Sequence, residues 1–127
     1  MIEIKTMSKD FTKVERYMMT VSPDIQVIKD VPDDTTLEVT GWLEFDDIDE
    51  RTGEVKNLLS IITRDRKAYS CQSLTFKNSL YDIINVVGAP GETVEFIPVR
   101  KFSGQNKSGR HFINCALDIE TFENNQY

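Results

Sequence analysis

From Thr36 to Asp46 apolar and polar positions alternate, with Leu37, Val39, Gly41, Leu43 and Phe45 on one side and Glu38, Thr40, Trp42 and Glu44 on the other. A period of two is the mark of a half-buried strand. The acidic, glycine-containing run 47–53 turns the chain, and Glu54 to Thr63, with Leu58, Leu59, Ile61 and Ile62, reads as a second strand. Arg64-Asp65-Arg66-Lys67 is a tight charged turn into a short third strand, Ala68 to Gln72. The period then lengthens. Phe76, Leu80, Ile83, Ile84 and Val87 recur at helical spacing behind Ser73 or Thr75 as N-cap, and Gly88-Ala-Pro90 closes the helix. Thr93 to Phe102 and Arg110 to Ile119 supply two more strands around a loop, Ser103 to Gly109. In the fourth strand Val94, Phe96 and Phe102 compete with Ile97 and Val99 for the interior; choosing the latter pair sets Arg100 and Phe102 outward. In the fifth, Ile113, Cys115, Leu117 and Ile119 form the core register.

Upstream of this body, Phe11, Val14, Tyr17 and Met18 suggest a short amphipathic helix ending near Ser22-Pro23. Ile25 to Ile28 suggests a short strand, and Val31-Pro32-Asp33-Asp34 a turn. The organisation expected is an N-terminal extension over 1–34, one domain over 35–119, and a flexible polar, acidic tail over 120–127. The order β-β-β-α-β-β places a helix where a five-stranded Greek-key barrel needs an end plug, so the fold class expected is all-β with one or two helices, an OB-fold barrel preceded by a short helix. A ferredoxin-like arrangement requires a helix between the first two strands, where only a charged turn stands.

A chain of 127 residues, 39% hydrophobic and 28% charged, fits one folded globular domain. No apolar run approaches the roughly 18 residues that cross a bilayer, and Met-Ile-Glu-Ile-Lys lacks the layout of a signal peptide, so a cytoplasmic protein without membrane partners is expected. Cys71 and Cys115 stand too far apart for a zinc knuckle and read as buried thiols. The net charge of -6 hides an asymmetry: residues 1–50 carry 5 basic and 13 acidic side chains, residues 51–117 carry 10 and 5, and residues 118–127 carry none and 3. Salt screens charges beyond roughly 8–10 Å, so a basic middle can meet phosphate although the whole is acidic.

One histidine, no glycine-rich phosphate cradle and no ligand-spaced cluster leave no basis for an enzyme, a cofactor or a metal. Asp46-Asp47 with Asp49-Glu50 lacks the spacing of a calcium loop and reads as a solvated turn. Aromatics on the polar side of strands are more informative, because a base stacks on an exposed ring for roughly 1–3 kcal/mol. Trp42 lies between Thr40 and Glu44, Phe112 beside Arg110, and Phe102 outward in the fourth strand; Tyr69 is equally a stacker or a core residue. The N-terminal segment folding back over Trp42 or Phe112 is the plain alternative. Arg64, Arg66, Lys67, Arg100, Lys101, Lys107 and Arg110 supply cations in turns and loops, and the run 101–110, free of acids, reads as a mobile finger. Stacking platforms beside cations suit sequence-tolerant binding of single strands.

Ala68-Tyr-Ser-Cys-Gln-Ser-Leu-Thr-Phe76, Leu80-Tyr-Asp-Ile-Ile84 and Lys107-Ser-Gly-Arg-His-Phe-Ile-Asn-Cys-Ala-Leu117 resemble segments of the small single-stranded-DNA-binding proteins of phages and mobile elements of Gram-positive bacteria. The resemblance, over Leu58 to Leu117, implies an OB fold and a single-stranded DNA ligand during replication or transfer. The ending Thr-Phe-Glu-Asn-Asn-Gln-Tyr127 is a faint echo of the acidic tail with final Phe through which such bacterial proteins recruit replication partners. A homo-oligomer is a further expectation. The rival reading is a protein-interaction module, or an acidic decoy that imitates DNA to inhibit a host enzyme, motivated by the acidic first half.

Overall fold

The computed structural model describes residues 1–91 and 94–125. Its elements are β1 (Ile2–Met7), α1 (Lys13–Thr20), β2 (Gln26–Val27), a 3-10 turn (Ile28–Asp30), β3 (Thr36–Ile48), β4 (Val55–Thr63), β5 (Ala68–Cys71), α2 (Leu74–Val87), β6 (Ile97–Gln105), β7 (His111–Leu117) and α3 (Ile119–Asn124). The strands form one sheet in the order β2-β5-β4-β3-β6-β7, with β1 added to β3. It curls into an OB-like half-barrel whose β5 and β7 do not pair.

Two expectations about the count are corrected. Among the described residues seven strands stand where a five-stranded barrel was expected, and a strand precedes the N-terminal helix. Ile2, Ile4 and Met7 alternate with polar residues, and β1 lies antiparallel to β3 with Ile4 opposite Phe45 and Met7 opposite Leu43. The segment 1–34 is therefore woven into the sheet. At the other end, Ile119–Asn124 is helical, N-capped by Asp118, whose side chain accepts from the Thr121 amide. The expected tail thus begins as a helix, and Ile119, expected in the core register, is 63% exposed. Thr93, the expected start of the fourth strand, and Tyr127 lie outside the described residues.

A bulge in β3 organises the interior. Val39 pairs with Thr63 and Gly41 with Ile62, so Thr40 has no partner residue on β4. One extra residue swaps the faces of everything that follows. Leu37 and Val39 point into the main core with Leu59, Ile61, Ile97 and Val99, whereas Leu43 and Phe45 point into a second core with Phe11, Met19, Ile62 and Ala68. β1 and α1 cover that second core. The single alternating face read from the sequence is thus two faces, and Trp42 turns toward the main core. Beyond the bulge, Gly41 is needed for close approach: a Cβ there would stand 2.7 Å from Cζ of Phe11.

The helices follow local sequence. Thr12 and Glu15 form a reciprocal capping box at the start of α1. Ser73 caps α2 by accepting from the Phe76 amide, and Phe76 and Leu80 are fully buried against the barrel. Ile97 and Val99 are inside, as expected, and so are both cysteines. No helix is long and apolar enough to cross a membrane.

Gly41→Val should push against the Phe11 ring and cost about 1–3 kcal/mol of stability, the usual range for overpacking. The urea midpoint should fall at unchanged m; an unshifted midpoint would show that Phe11 yields without cost.

Candidate nucleic-acid interface

Because the half-barrel is unclosed between β5 and β7, a cleft of about 840 Å³ opens along the seam. Its floor and one side come from Ser70 and Cys71 of β5 and from Gln72-Ser73-Leu74, which lead into α2. The facing side is the start of β7, Arg110 to Ile113, with Ser103 of β6; Val27 and Lys29 border it from the segment that precedes β3. Past Gln72–Leu74 the cleft continues as a trough toward Lys77 and Asn57. Ser73 ties the two sides at one point, its hydroxyl donating to the Ile113 carbonyl at 3.3 Å.

The cleft is mixed in character. Leu74 is 63% exposed and Phe112 half-buried, while Lys29, Arg110 and His111 are exposed. Phe112 lies over the backbone of Gly104, its cross-strand partner, where any side chain would overlap the ring. Glycine at 104 thus lets a flat aromatic seat beside the cleft. Lys29, Lys107 and Arg110 form no ion pair among the described residues. Lys107 sits at the tip of the β6–β7 hairpin, whose turn is fixed by Asn106 accepting from the Ser108 and Arg110 amides at 3.0 and 2.9 Å. Of the finger expected over 101–110, Lys101 to Gln105 are paired strand and 106–110 form the turn.

The remaining residues singled out from the sequence lie elsewhere. Trp42 packs against Tyr81 of α2, ring centroids 5.0 Å apart and tilted by 58°, as part of the main core's margin. It is covered, though by α2 rather than by the N-terminal segment. Tyr69 is a core residue, 9% exposed, with burial raising its hydroxyl pKa. Phe102 is half-exposed beneath the Arg100 guanidinium, which also reaches Asp34 at 2.8 Å. Arg64 lies over Phe96 and pairs with Glu38 at 3.2 Å and Glu95 at 3.7 Å; Lys67 pairs with Asp65, and Arg66 reaches the Met18 sulfur. That β4–β5 turn is at the far end of β5 from the cleft.

Lys101 is corrected outright as a candidate phosphate contact. It is 2% exposed, and its ammonium donates to the Val31 carbonyl at 2.7 Å and to Asp33 at 2.8 Å. Lys29, Gln72, Leu74 and His111 also line the cleft and were not singled out in the sequence. Their signal was weak, since each falls in a turn or at the end of an element, where periodicity carries no information. The acidic run behaves as a turn: Asp49 accepts from the Arg51 and Thr52 amides, and Asp46 meets Asn57 at 2.9 Å and Lys5 at 3.4 Å.

Cys71 borders the cleft, yet burial pushes its thiol up to about 11 and that of Cys115 to about 12. Both should therefore stay protonated at pH 8 and resist a disulfide reagent until denaturant is added. Rapid native-state modification of one thiol would mean that the seam opens wider than described.

A family model for the phage single-stranded DNA-binding protein of phi29 type matches residues 11–118, most of the chain. No curated protein matches the chain, and no solved structure does.

Proposed function

We propose that this chain, which belongs to the phi29 phage single-stranded DNA-binding protein family, takes up the strand in the cleft between β5 and β7. Its function is to bind single-stranded DNA in phage replication. The observation that carries the location is the unclosed seam itself: an open, partly apolar channel beside a seated aromatic, with Lys29 and Arg110 at its rims. Bases need a ring or apolar surface to stack on, and phosphates need cations within the screening length. The cleft offers both along one line, whereas Trp42 and Tyr69 are packed and, in the β4–β5 turn, Arg64 and Lys67 are paired and Arg66 lies against the Met18 sulfur.

In this reading Phe112 is the stacking platform, Leu74 an apolar wall, and Lys29, Arg110 and Lys107 the phosphate contacts, with Phe102 and Arg100 as an outer extension along β6. Backbone-directed cations with stacking, and few groups aimed at base edges, suit the sequence tolerance expected of such a protein. We take the chain to work by binding alone, without catalysis, in the cytoplasm of the infected cell. The segment from Glu120 onward is the place we assign to any contact with replication partners.

Fluorescence anisotropy with labelled oligo-dT tests the location. Phe112→Ala should weaken binding by about 1–3 kcal/mol, the range for loss of one base-stacking ring. Lys29→Ala and Arg110→Ala should each lower the slope of log K against log salt by about 0.7, the value for one phosphate contact on a single strand. Arg64→Ala should change neither. Wild-type binding by all three cleft variants would remove the cleft as the site.

A further inference from the structure

The cleft has a wall that belongs to no long strand. Residues 26–33 cross the seam as a strap. At one end Gln26 and Val27 pair in parallel with Tyr69 and Ser70 on the edge of β5. In the middle, Ile28 is fully buried and Val31 nearly so, both in the main core. At the other end the next residues, Asp34 and Thr35, exchange backbone hydrogen bonds with Lys101 of β6 at 2.7 and 3.0 Å and Asp34 pairs with Arg100, while the strap itself is held to β6 by the Lys101 side chain and by Ser103. Lys101 occupies an inward position of β6, two residues beyond Val99 and opposite Cys115. Its ammonium reaches the carbonyls of Lys29 at 3.4 Å and Val31 at 2.7 Å, the carboxylate of Asp33 at 2.8 Å and the hydroxyl of Ser103 at 3.4 Å. Ser103 in turn donates to Asp33 at 2.8 Å.

A buried ammonium is costly unless its protons are satisfied, and here the acceptors come almost entirely from the strap. Removing the ammonium would leave two strap carbonyls without this donor and Asp33 with Ser103 alone, so residues 29–33 would be held to β6 less firmly ahead of the backbone bonds at Asp34 and Thr35. Val27 and Lys29 border the cleft from this strap. We propose that Lys101 is a positioning residue for single-stranded DNA: by clamping the strap 26–33 to β6 across the open seam, it sets the width of the cleft and holds Val27 and Lys29 as its wall. This rests on the reading that the cleft is the DNA site. It also gives Lys101 a part in binding without any contact to phosphate.

The test uses the full chain and labelled oligo-dT. Lys101→Met should fold by circular dichroism, lose amide protection over 26–33, and bind about tenfold more weakly, as when a competent wall is present roughly a tenth of the time. The slope of log K against log salt should stay as in the wild type; a fall of about 0.7 would mean that Lys101 meets a phosphate directly and would overturn the proposal. Adding Asp33→Cys and Ser103→Cys, whose side chains already meet, re-staples the strap without the lysine. The oxidised triple variant should recover wild-type affinity and lose it again on reduction; failure of the oxidised form to recover would also overturn the proposal. Should Lys101→Met not fold, Asp33→Ala with Ser103→Ala loosens the same clamp from its exposed side, with the same expected loss of protection and affinity. A loosened strap with wild-type affinity would sink the positioning role alone, provided Phe112→Ala and Arg110→Ala still weaken binding. If those two also bind as wild type, the cleft reading fails instead.

Discussion

Everything in this molecule hangs on the 13 residues of β3. That strand is paired on one flank with β4 for most of its length, and on the other with β6 at its start and β1 at its end. A strand shared by three partners must curl, since a flat strand cannot face two neighbours that diverge around it. The bulge at Thr40 supplies the bend, and Gly41 gives the backbone room against Phe11. The parity change it introduces lets one strand bury apolar side chains in two cores instead of one. Without it, Leu43 and Phe45 would fall into the barrel with Leu37 and Val39, and the sheet would have nothing to offer β1 and α1.

The site inherits its form from this curl. β6 and β7 are carried away from β5, leaving the seam that β2 and the strap only partly bridge. Side chains along β6 record the passage from core to cleft: Ile97 and Val99 lie in the main core, Lys101 is enclosed but polar, and Ser103 borders open space. A charged group is tolerated at the third of these positions because the strap turns its carbonyls inward there. Core and cleft thus meet in the same few residues of β6.

Much of the fold was legible in the sequence, and what was missed has specific physical causes. α2 was read with its cap and its buried face because helical periodicity is local and Ser73 is a good capping residue. β4, β5 and the inward pair of β6 followed for the same reason. β3 was found as a strand but its faces were misassigned beyond Thr40, since a bulge leaves no mark in an unbroken alternation. That is why Trp42 looked exposed when it packs under Tyr81. β1 was overlooked although Ile2 and Ile4 alternate with Glu3 and Lys5, because its partner lies some forty residues away. Lys101 shows an inconsistency that the sequence itself contained: placing Ile97 and Val99 inward puts residue 101 inward too. Charge suggested a surface position; register decided otherwise. Of the residues that line the cleft, Phe112 and Arg110 were singled out in the sequence, whereas Lys29 and Gln72–Leu74 became visible only once the seam had brought them together.

The second core has a consequence for how the chain comes into being. Its buried members run from Phe11 to Ala68, and the residues packed on it begin at Ile2. All of them are synthesised before α2, β6 and β7. The main core, by contrast, needs Cys115 and so waits for the last strand. Vectorial synthesis therefore supplies every strand of a sub-structure of β1, α1, β3, β4 and β5 before the last two strands exist, and that sub-structure can close on itself first. The exposed edges of β3 and β5 are then the template beside which β6 and β7 are laid down, so a nascent chain acquires its scaffold before it acquires the seam.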